Sequence, residues 1–411
     1  GDGMVHAVTL DPGEGATYRN RFVQTAKKTA EDAAKTRLFG TFGTPPPGGL
    51  FARMRGAIPA SAANTNVVHH AGRLLALWEA GPPWELDPTT LETVGEQDLD
   101  GALHHGRAYS AHPKLDPVTG ELWNFGVDYG PRPMLRLYRT DAAGVTRQLC
   151  SIVLPSAAMI HDFALTATKA VVVVGPMALP RLPLSLLAGR RSFGESLRWG
   201  DGVHIAVVDR ASLDVTWHRT DACFFFHVAN AYDDGDDAVV DVCAYEDDTV
   251  MRLFTEVMVG RSLPVRPRLA RLSIGPGGVR RRQLSPTSLE FPRVAPGQST
   301  RAHDAVFGVG MHDEADFLGR PVAVDVATGH VQVAGTRPWQ YAGELVPVAK
   351  HEPDAAPWLL TLVLDASAGR SELWVLDGAE LAKPPTAVVT LPHVVPFGFH
   401  GNWVATPPAA R

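Results

Sequence analysis

Val208-Asp209-Arg210-Ala211-Ser212-Leu213 joins the end of an apolar run to a turn that opens with aspartate, carries a serine and leads into a second run. The same figure stands at Leu86-Asp87-Pro88-Thr89-Thr90-Leu91 and at Val324-Asp325-Val326-Ala327-Thr328-Gly329. An Asp side chain at such a corner bonds the backbone ahead of it and turns the chain without help from distant residues. Gly-Glu-Leu-Trp at 120–123 and Ser-Glu-Leu-Trp at 371–374 supply matching strand starts. Thirty-nine glycines and 33 prolines are spread along the whole length, which is the punctuation of many short strands joined by turns. Degenerate strand-turn-strand units with uneven insertions describe a β-propeller, in which each small sheet buries its faces by stacking on its neighbours. A string of β-sandwich domains is the rival, and it requires Ser- or Pro-rich linkers that the chain lacks. The expected architecture is therefore all-β, one propeller domain over residues 1–411, with one short helix within 24–38, where Ala, Lys, Glu and Asp collect.

Composition narrows the function. Hydrophobic residues at 45% and charged residues at 20% are ordinary for a globular chain with a large core. A net charge of −6 opposes a phosphate-tracking surface, so nucleic acid is not an expected partner and small molecules are. Cys150, Cys223 and Cys243 have no metal-ligand or framework spacing, which points to a reducing, cytoplasmic setting. Gly1-Asp2-Gly3-Met4-Val5-His6 has neither the basic nor the apolar region of a signal peptide, and no apolar run reaches membrane-spanning length.

One stretch breaks the strand pattern. Residues 177–188, with Leu179, Leu182, Leu184, Leu186 and Leu187, are apolar and Pro-interrupted and lead into Arg190-Arg191. Such a run is either a loop packed on the core or an exposed patch that dips into a membrane surface and admits a lipophilic substrate.

Four of the 16 histidines share a setting: His112 in Ser110-Ala111-His112-Pro113-Lys114, His161 in Met159-Ile160-His161-Asp162-Phe163, His227 in Phe225-Phe226-His227-Val228-Ala229, and His400 in Pro396-Phe397-Gly398-Phe399-His400-Gly401-Asn402-Trp403. Each follows or ends a short apolar run. A single buried imidazole is most often just a hydrogen-bonded core residue, and the doublets His69-His70 and His104-His105 stand in polar turns that face solvent. The four differ by standing one per strand unit. Inner propeller strands converge on one axis, and four imidazoles meeting there would suit a borderline metal such as iron, zinc or copper.

At this point a resemblance emerges. Asp2-Gly3-Met4-Val5-His6, Tyr18-Arg19-Asn20-Arg21-Phe22-Val23, Asn64-Thr65-Asn66-Val67, Leu77-Trp78-Glu79, Ala111-His112-Pro113-Lys114, Ile160-His161-Asp162-Phe163, Phe226-His227, Glu290-Phe291-Pro292-Arg293, Glu344-Leu345-Val346-Pro347 and Gly398-Phe399-His400-Gly401 follow one another in the order found in the carotenoid cleavage oxygenase family. The chain resembles that family over nearly its whole length. The resemblance implies a seven-bladed propeller capped by loops and short helices, with Fe(II) on the axis held by His112, His161, His227 and His400. It also implies that Glu79, Glu290 and Glu344 accept hydrogen bonds from ligand imidazoles, and that Thr65 lies near the open iron site. Two departures are visible: relatives carry a further segment before Gly1, so the chain is expected to begin late in the family domain, and Phe397 stands where many relatives have Tyr.

The function implied is a non-haem Fe(II) dioxygenase that uses O₂ to cleave a carbon-carbon double bond of an apolar conjugated substrate, giving two carbonyl products. Neutral imidazoles leave iron open positions for O₂, and no protein nucleophile or base is required. The 177–188 run favours a carotenoid or apocarotenoid held in a membrane over the more polar stilbenes. Retinoid isomerohydrolase chemistry and a metal-free binding scaffold are the remaining alternatives.

Overall fold

In the computed structural model the chain is described over residues 1–405 apart from 12, 14, 58, 59, 258–260, 262, 264, 312–316, 353 and 354. Six antiparallel sheets follow one another along it. The first lies within residues 66–96, the second within 114–153, the third within 164–221, the fourth within 224–288, the fifth within 290–333 and the sixth within 340–390. Five have four strands in sequence order, and the sixth has five because two short segments, Gln340–Ala342 and Val346–Val348, both pair with Trp358–Asp365. The all-β propeller expectation holds, but the seven blades implied by the family resemblance are corrected to six. A two-stranded hairpin, Met4–Asp11 with Gly15–Phe22, lies between the last blade and the first. Its Arg21 bonds the Thr90 carbonyl in the first blade, while Tyr18 and Asn20 both reach His393 beyond the sixth.

The Asp-opened turns are local devices, as their sequence suggested. Asp87, Asp209 and Asp325 each accept two backbone N–H bonds from the residues two and three positions ahead, at 2.6–3.0 Å. All three join the third strand of a blade to its fourth.

The core lies between blades, because each sheet is apolar on both faces. Trp123, Phe125 and Leu137 of the second blade pack on Leu165, Val172 and Val208 of the third. Val171 and Ile205 of the third pack on Val240 and Leu272 of the fourth. Equivalent seams join the fourth to the fifth and the fifth to the sixth.

Insertions make the cap. The third blade is interrupted by a small hairpin (Met177–Ala178 with Arg198–Trp199) and the short helices Leu184–Leu187 and Phe193–Ser196; the fourth carries the helix Thr249–Val257. Leu179, Phe193, Trp199 and Met251 from these insertions pack with Phe42, Phe226 and Tyr245. The helix expected within 24–38 forms at Ala26–Ala34, capped by the Thr25 hydroxyl, which accepts from the Lys28 N–H at 3.1 Å. Among the described residues no helix is long and apolar enough to cross a membrane, and all three cysteines are unpaired thiols.

The 177–188 run divides between packed and exposed positions. Leu179 packs into the cap and Leu186 is buried, whereas Leu182, Leu184 and Leu187 are exposed. One helical turn turns Leu186 inward and leaves its neighbours outward.

Candidate metal centre

Irregular backbone delivers every side chain of the site. His112 and His161 stand just before the innermost strands of the second and third blades, Lys114–Leu115 and Ala164–Leu165. His227 lies in the innermost strand of the fourth blade, where pairing skips from Phe225↔Ala244 to Val228↔Val242, and a bulge of this kind re-aims a side chain. His400 comes from the segment after the sixth blade. Its N–H reaches the Thr65 carbonyl at 3.3 Å, and Asn402 donates to the Val67 carbonyl at 2.5 Å, so the chain's end is stitched to the start of the first blade.

The four imidazoles converge. Nε2 of His112 lies 2.9 Å from Nε2 of His161, which lies 3.3 Å from that of His227, which lies 3.1 Å from that of His400. Among the described residues the remaining histidines stay elsewhere; His69, His104 and His105 are exposed as the polar turn contexts implied, whereas His70 is half-buried, with Nε2 2.8 Å from the Asp141 carbonyl.

Three of the rings are backed by carboxylates. Nδ1 of His161 meets Glu79 Oε1, Nδ1 of His227 lies 2.5 Å from Glu290 Oε2, and Nδ1 of His400 lies 3.0 Å from Glu344 Oε1. Two of the glutamates lie outside the strands and the third at a strand's first residue. Glu79 follows the isolated bridge Trp78↔Tyr109, Glu290 opens the fifth blade ahead of a register shift, and Glu344 occupies the gap between the two segments of the sixth blade's inner strand.

The carboxylates are themselves pinned. Glu290 accepts from the Tyr245 hydroxyl at 2.7 Å and the Phe291 N–H at 2.7 Å. Phe291 takes a left-handed φ of 51° to do so, and its ring lies 5.2 Å from His227 and 5.4 Å from His400. Strain of that kind at a non-glycine residue clusters at functional sites. Glu344 accepts from the Gly401 N–H at 2.9 Å and faces Arg293 at 3.3 Å. Burial pushes the Glu344 carboxyl up, but Arg293, His400 and the Gly401 amide outweigh it and hold it at about 2.

This arrangement can hold a cation. Where Nδ1 donates to a carboxylate, the Nε2 of a neutral ring carries only a lone pair. Burial and the neighbouring imidazoles drive His112 well below its ordinary pKa, and burial outweighs Glu344 in lowering His400; at His227 the Glu290 carboxylate outweighs burial and raises it. A proton on His227 bridges at most one of the three close contacts. A metal ion satisfies all four lone pairs together. With metal-imidazole bonds of about 2.1 Å, ligands at right angles stand about 3.0 Å apart and tetrahedral ones about 3.4 Å, and the observed contacts straddle the first value.

Other sequence-singled residues find smaller places. Thr65 holds His400 through its carbonyl, and its hydroxyl bonds Asn64 at 3.4 Å. Phe397 is half exposed and packs on Phe317 and Tyr341 at 4.9 and 5.3 Å. Sequence reading gave no role to Tyr245, Phe291 or Arg293, which pin the glutamates. Phe291 and Arg293 stood inside the quoted landmark without any signal of a left-handed backbone or an ion pair.

The chain matches the family model described as retinal pigment epithelial membrane protein over residues 1–405. It is 31% identical to the apocarotenoid-15,15'-oxygenase of Synechocystis sp., covering 99% of this chain and 86% of that protein. Against a carotenoid 9,10(9',10')-cleavage dioxygenase of Crocus sativus the identity is 30%, over 98% and 79% of the two chains. A resveratrol cleavage oxygenase of Aspergillus fumigatus is 29% identical over 98% and 84%. A solved structure of cobalt-substituted Synechocystis apocarotenoid oxygenase superposes with a TM-score of 0.88 at 30% identity, over 99% of this chain and 88% of that one. With the family model matching residues 1–405 and the propeller shared, the chain belongs to the carotenoid cleavage oxygenase family.

Proposed function

We infer that the protein is a non-haem Fe(II) dioxygenase that cleaves a carbon-carbon double bond of a carotenoid or apocarotenoid, giving two aldehydes. The observation that carries this is the close approach of the four Nε2 atoms, three of them with a carboxylate behind the ring. His112, His161, His227 and His400 would hold the metal, and Glu79, Glu290 and Glu344 would set the tautomers and add negative charge around a dication held by neutral rings. Iron(II), when bound there, supplies activation of O₂ for addition across the alkene. The chain's own residues orient and enclose: Phe226 lies 5.2 Å from His161 and Phe291 flanks His227 and His400, so apolar walls border the imidazoles. Thr65, whose carbonyl accepts from the His400 amide, would border the open side of the same site. None of these groups needs to act as nucleophile or base. Incubation with heavy-isotope-labelled O₂ and an apocarotenal is expected to label both aldehyde products. Label absent from both, or one intact rearranged retinoid, would favour isomerohydrolase chemistry instead.

A stilbene substrate is the second reading, because a resveratrol cleavage oxygenase is nearly as similar as the carotenoid enzymes. Surface chemistry favours the carotenoid. Leu182 and Leu184 are about 70% exposed, at 72% and 68%, and Leu187 is half exposed. The helix Leu50–Arg55 adds Leu50, Phe51 and Met54, all exposed, and lies alongside: a Cβ on Gly189 would stand 2.5 Å from the Arg53 carbonyl. Arg53, Arg55, Arg181, Arg190 and Arg191 are exposed on the same two segments. Each leucine withdrawn from water contributes about 1.5–3 kcal/mol, and each arginine near an anionic surface about 1 kcal/mol. Replacing Leu182, Leu184 and Leu187 together by serine is expected to weaken liposome binding and slow cleavage of a membrane-held carotenoid, sparing short soluble substrates. Parent-like partitioning in a liposome flotation assay would remove the membrane contact and with it the main argument against stilbenes.

A further inference from the structure

We propose that Asp162 is a positioning residue that clamps three of the four histidine-bearing segments into one geometry, and that it does so without touching the metal. The proposal rests on the metal-centre reading above. Its carboxylate is buried and its acceptor sites are fully used. Oδ1 accepts from the Phe163 N–H at 2.7 Å and lies 2.8 Å from Lys114 Nζ; Oδ2 accepts from the Val228 N–H at 2.8 Å and from the same Lys114 at 2.9 Å.

The partners stand at significant places. Lys114 is two residues beyond His112, Asp162 is the residue after His161, and Val228 is the residue after His227. These three points belong to the second, third and fourth blades. Sheet hydrogen bonds run within a blade and fix nothing between neighbouring inner strands near the axis. Apolar side-chain packing between blades is non-directional, so it tolerates small slides. Imidazoles whose nitrogens must meet within about half an ångström of a productive geometry do not. A buried carboxylate with one charged and two backbone donors is directional, and it sits where that precision is required. His400, the fourth histidine, is fixed separately by Glu344, which takes its ring on one oxygen and the Gly401 amide on the other.

Lys114 also has an electrostatic place. Its ammonium lies 2.8 and 2.9 Å from the two oxygens of Asp162, two residues from His112 in the chain. Paired, the two charges neutralise one another; Asp162→Asn leaves the ammonium without its counter-charge. An amide also presents a donor to one of the two backbone N–H groups, so one directional bond is lost along with the charge.

The test uses Co(II) as the probe, with the full-length protein. Asp162→Asn is expected to bind Co(II) about tenfold more weakly than the parent, in the lower part of the range typical for groups that support metal ligands. Its Co(II) ligand-field spectrum is expected to change, because the ligands are displaced. Lys114→Met, at a partly exposed position, cuts the tie to the His112 segment but leaves the carboxylate's charge, so its mark is a changed Co(II) ligand-field spectrum, and it serves as the deciding variant if Asp162→Asn does not fold. Parent-like affinity and spectrum in Asp162→Asn overturn the clamp even if its melting temperature falls, since that is the mark of a purely structural residue. If Asp162→Asn does not fold, a parent-like Co(II) spectrum in Lys114→Met does the same. A parent that takes up no Co(II) overturns the metal-centre reading, and the clamp with it.

Discussion

Replacing His161 by alanine is expected to leave a folded protein that has lost its metal and its cleavage activity, both by more than about 100-fold, since even groups one step removed from a metal are worth 10 to 100-fold. His161 stands in the middle of the run of close contacts, 2.9 Å from His112 and 3.3 Å from His227, so its removal opens the set at its centre. It also leaves the Glu79 carboxylate facing a void where it met an imidazole. The fold has little stake in the ring. The inter-blade seams are built from Leu, Val, Ile, Phe and Trp side chains, and His161 belongs to none of them. Circular dichroism should therefore match the parent, while elemental analysis finds metal near one per chain in the parent and close to none in the variant. Stoichiometric iron retained after all four histidines are replaced would overturn the site altogether.

What the sequence made legible follows the range of the forces involved. The Asp-opened turns and the helix at 26–34 could be read because they are set by side-chain bonds to backbone only a few positions away. The histidines could be chosen because each stands at the edge of an apolar run, where a strand meets the axis. Their carboxylate partners could not be found by spacing: Glu79, Glu290 and Glu344 lie 82, 63 and 56 residues from the rings they back, on other blades, and only the family resemblance linked them. The blade count came from resemblance too, and a two-stranded hairpin within residues 4–22 stands between the last blade and the first. Phe291 and Asp162 were quoted but given no role. A left-handed φ at a phenylalanine and a carboxylate shared by three blades are products of tertiary constraint, with no local signature. The leucines of 177–188 had to be split between core and surface by a single helical turn, which is too short for periodicity to speak.

Glu290→Gln separates charge from shape at the same centre. Every partner of Glu290 is a donor in the parent: Nδ1 of His227 and the Phe291 amide on one oxygen, the Tyr245 hydroxyl on the other. Glutamine can keep its carbonyl oxygen toward His227 and Phe291 and turn its amide toward Tyr245, whose hydroxyl rotates to accept. No buried polar group is stranded, so the melting temperature should stay near the parent's. What disappears is a full negative charge 2.5 Å from His227, in a pocket where burial leaves little solvent to screen it. The loss acts twice. His227 becomes a weaker donor to metal, and its raised pKa, which depends on Glu290, falls back so that protons compete less. A dication feels the missing charge more strongly than a proton does, so the net result is weaker metal binding, by about 10 to 100-fold, with a parallel fall in turnover at limiting iron. Excess iron should restore part of the rate. Tyr245→Phe removes only the hydroxyl's hold on the other oxygen and should weaken metal binding by less. Parent-like iron affinity and turnover in Glu290→Gln would mean that the carboxylate acts there only as a hydrogen-bond acceptor, and that the metal's charge is balanced by Glu79 and Glu344 alone.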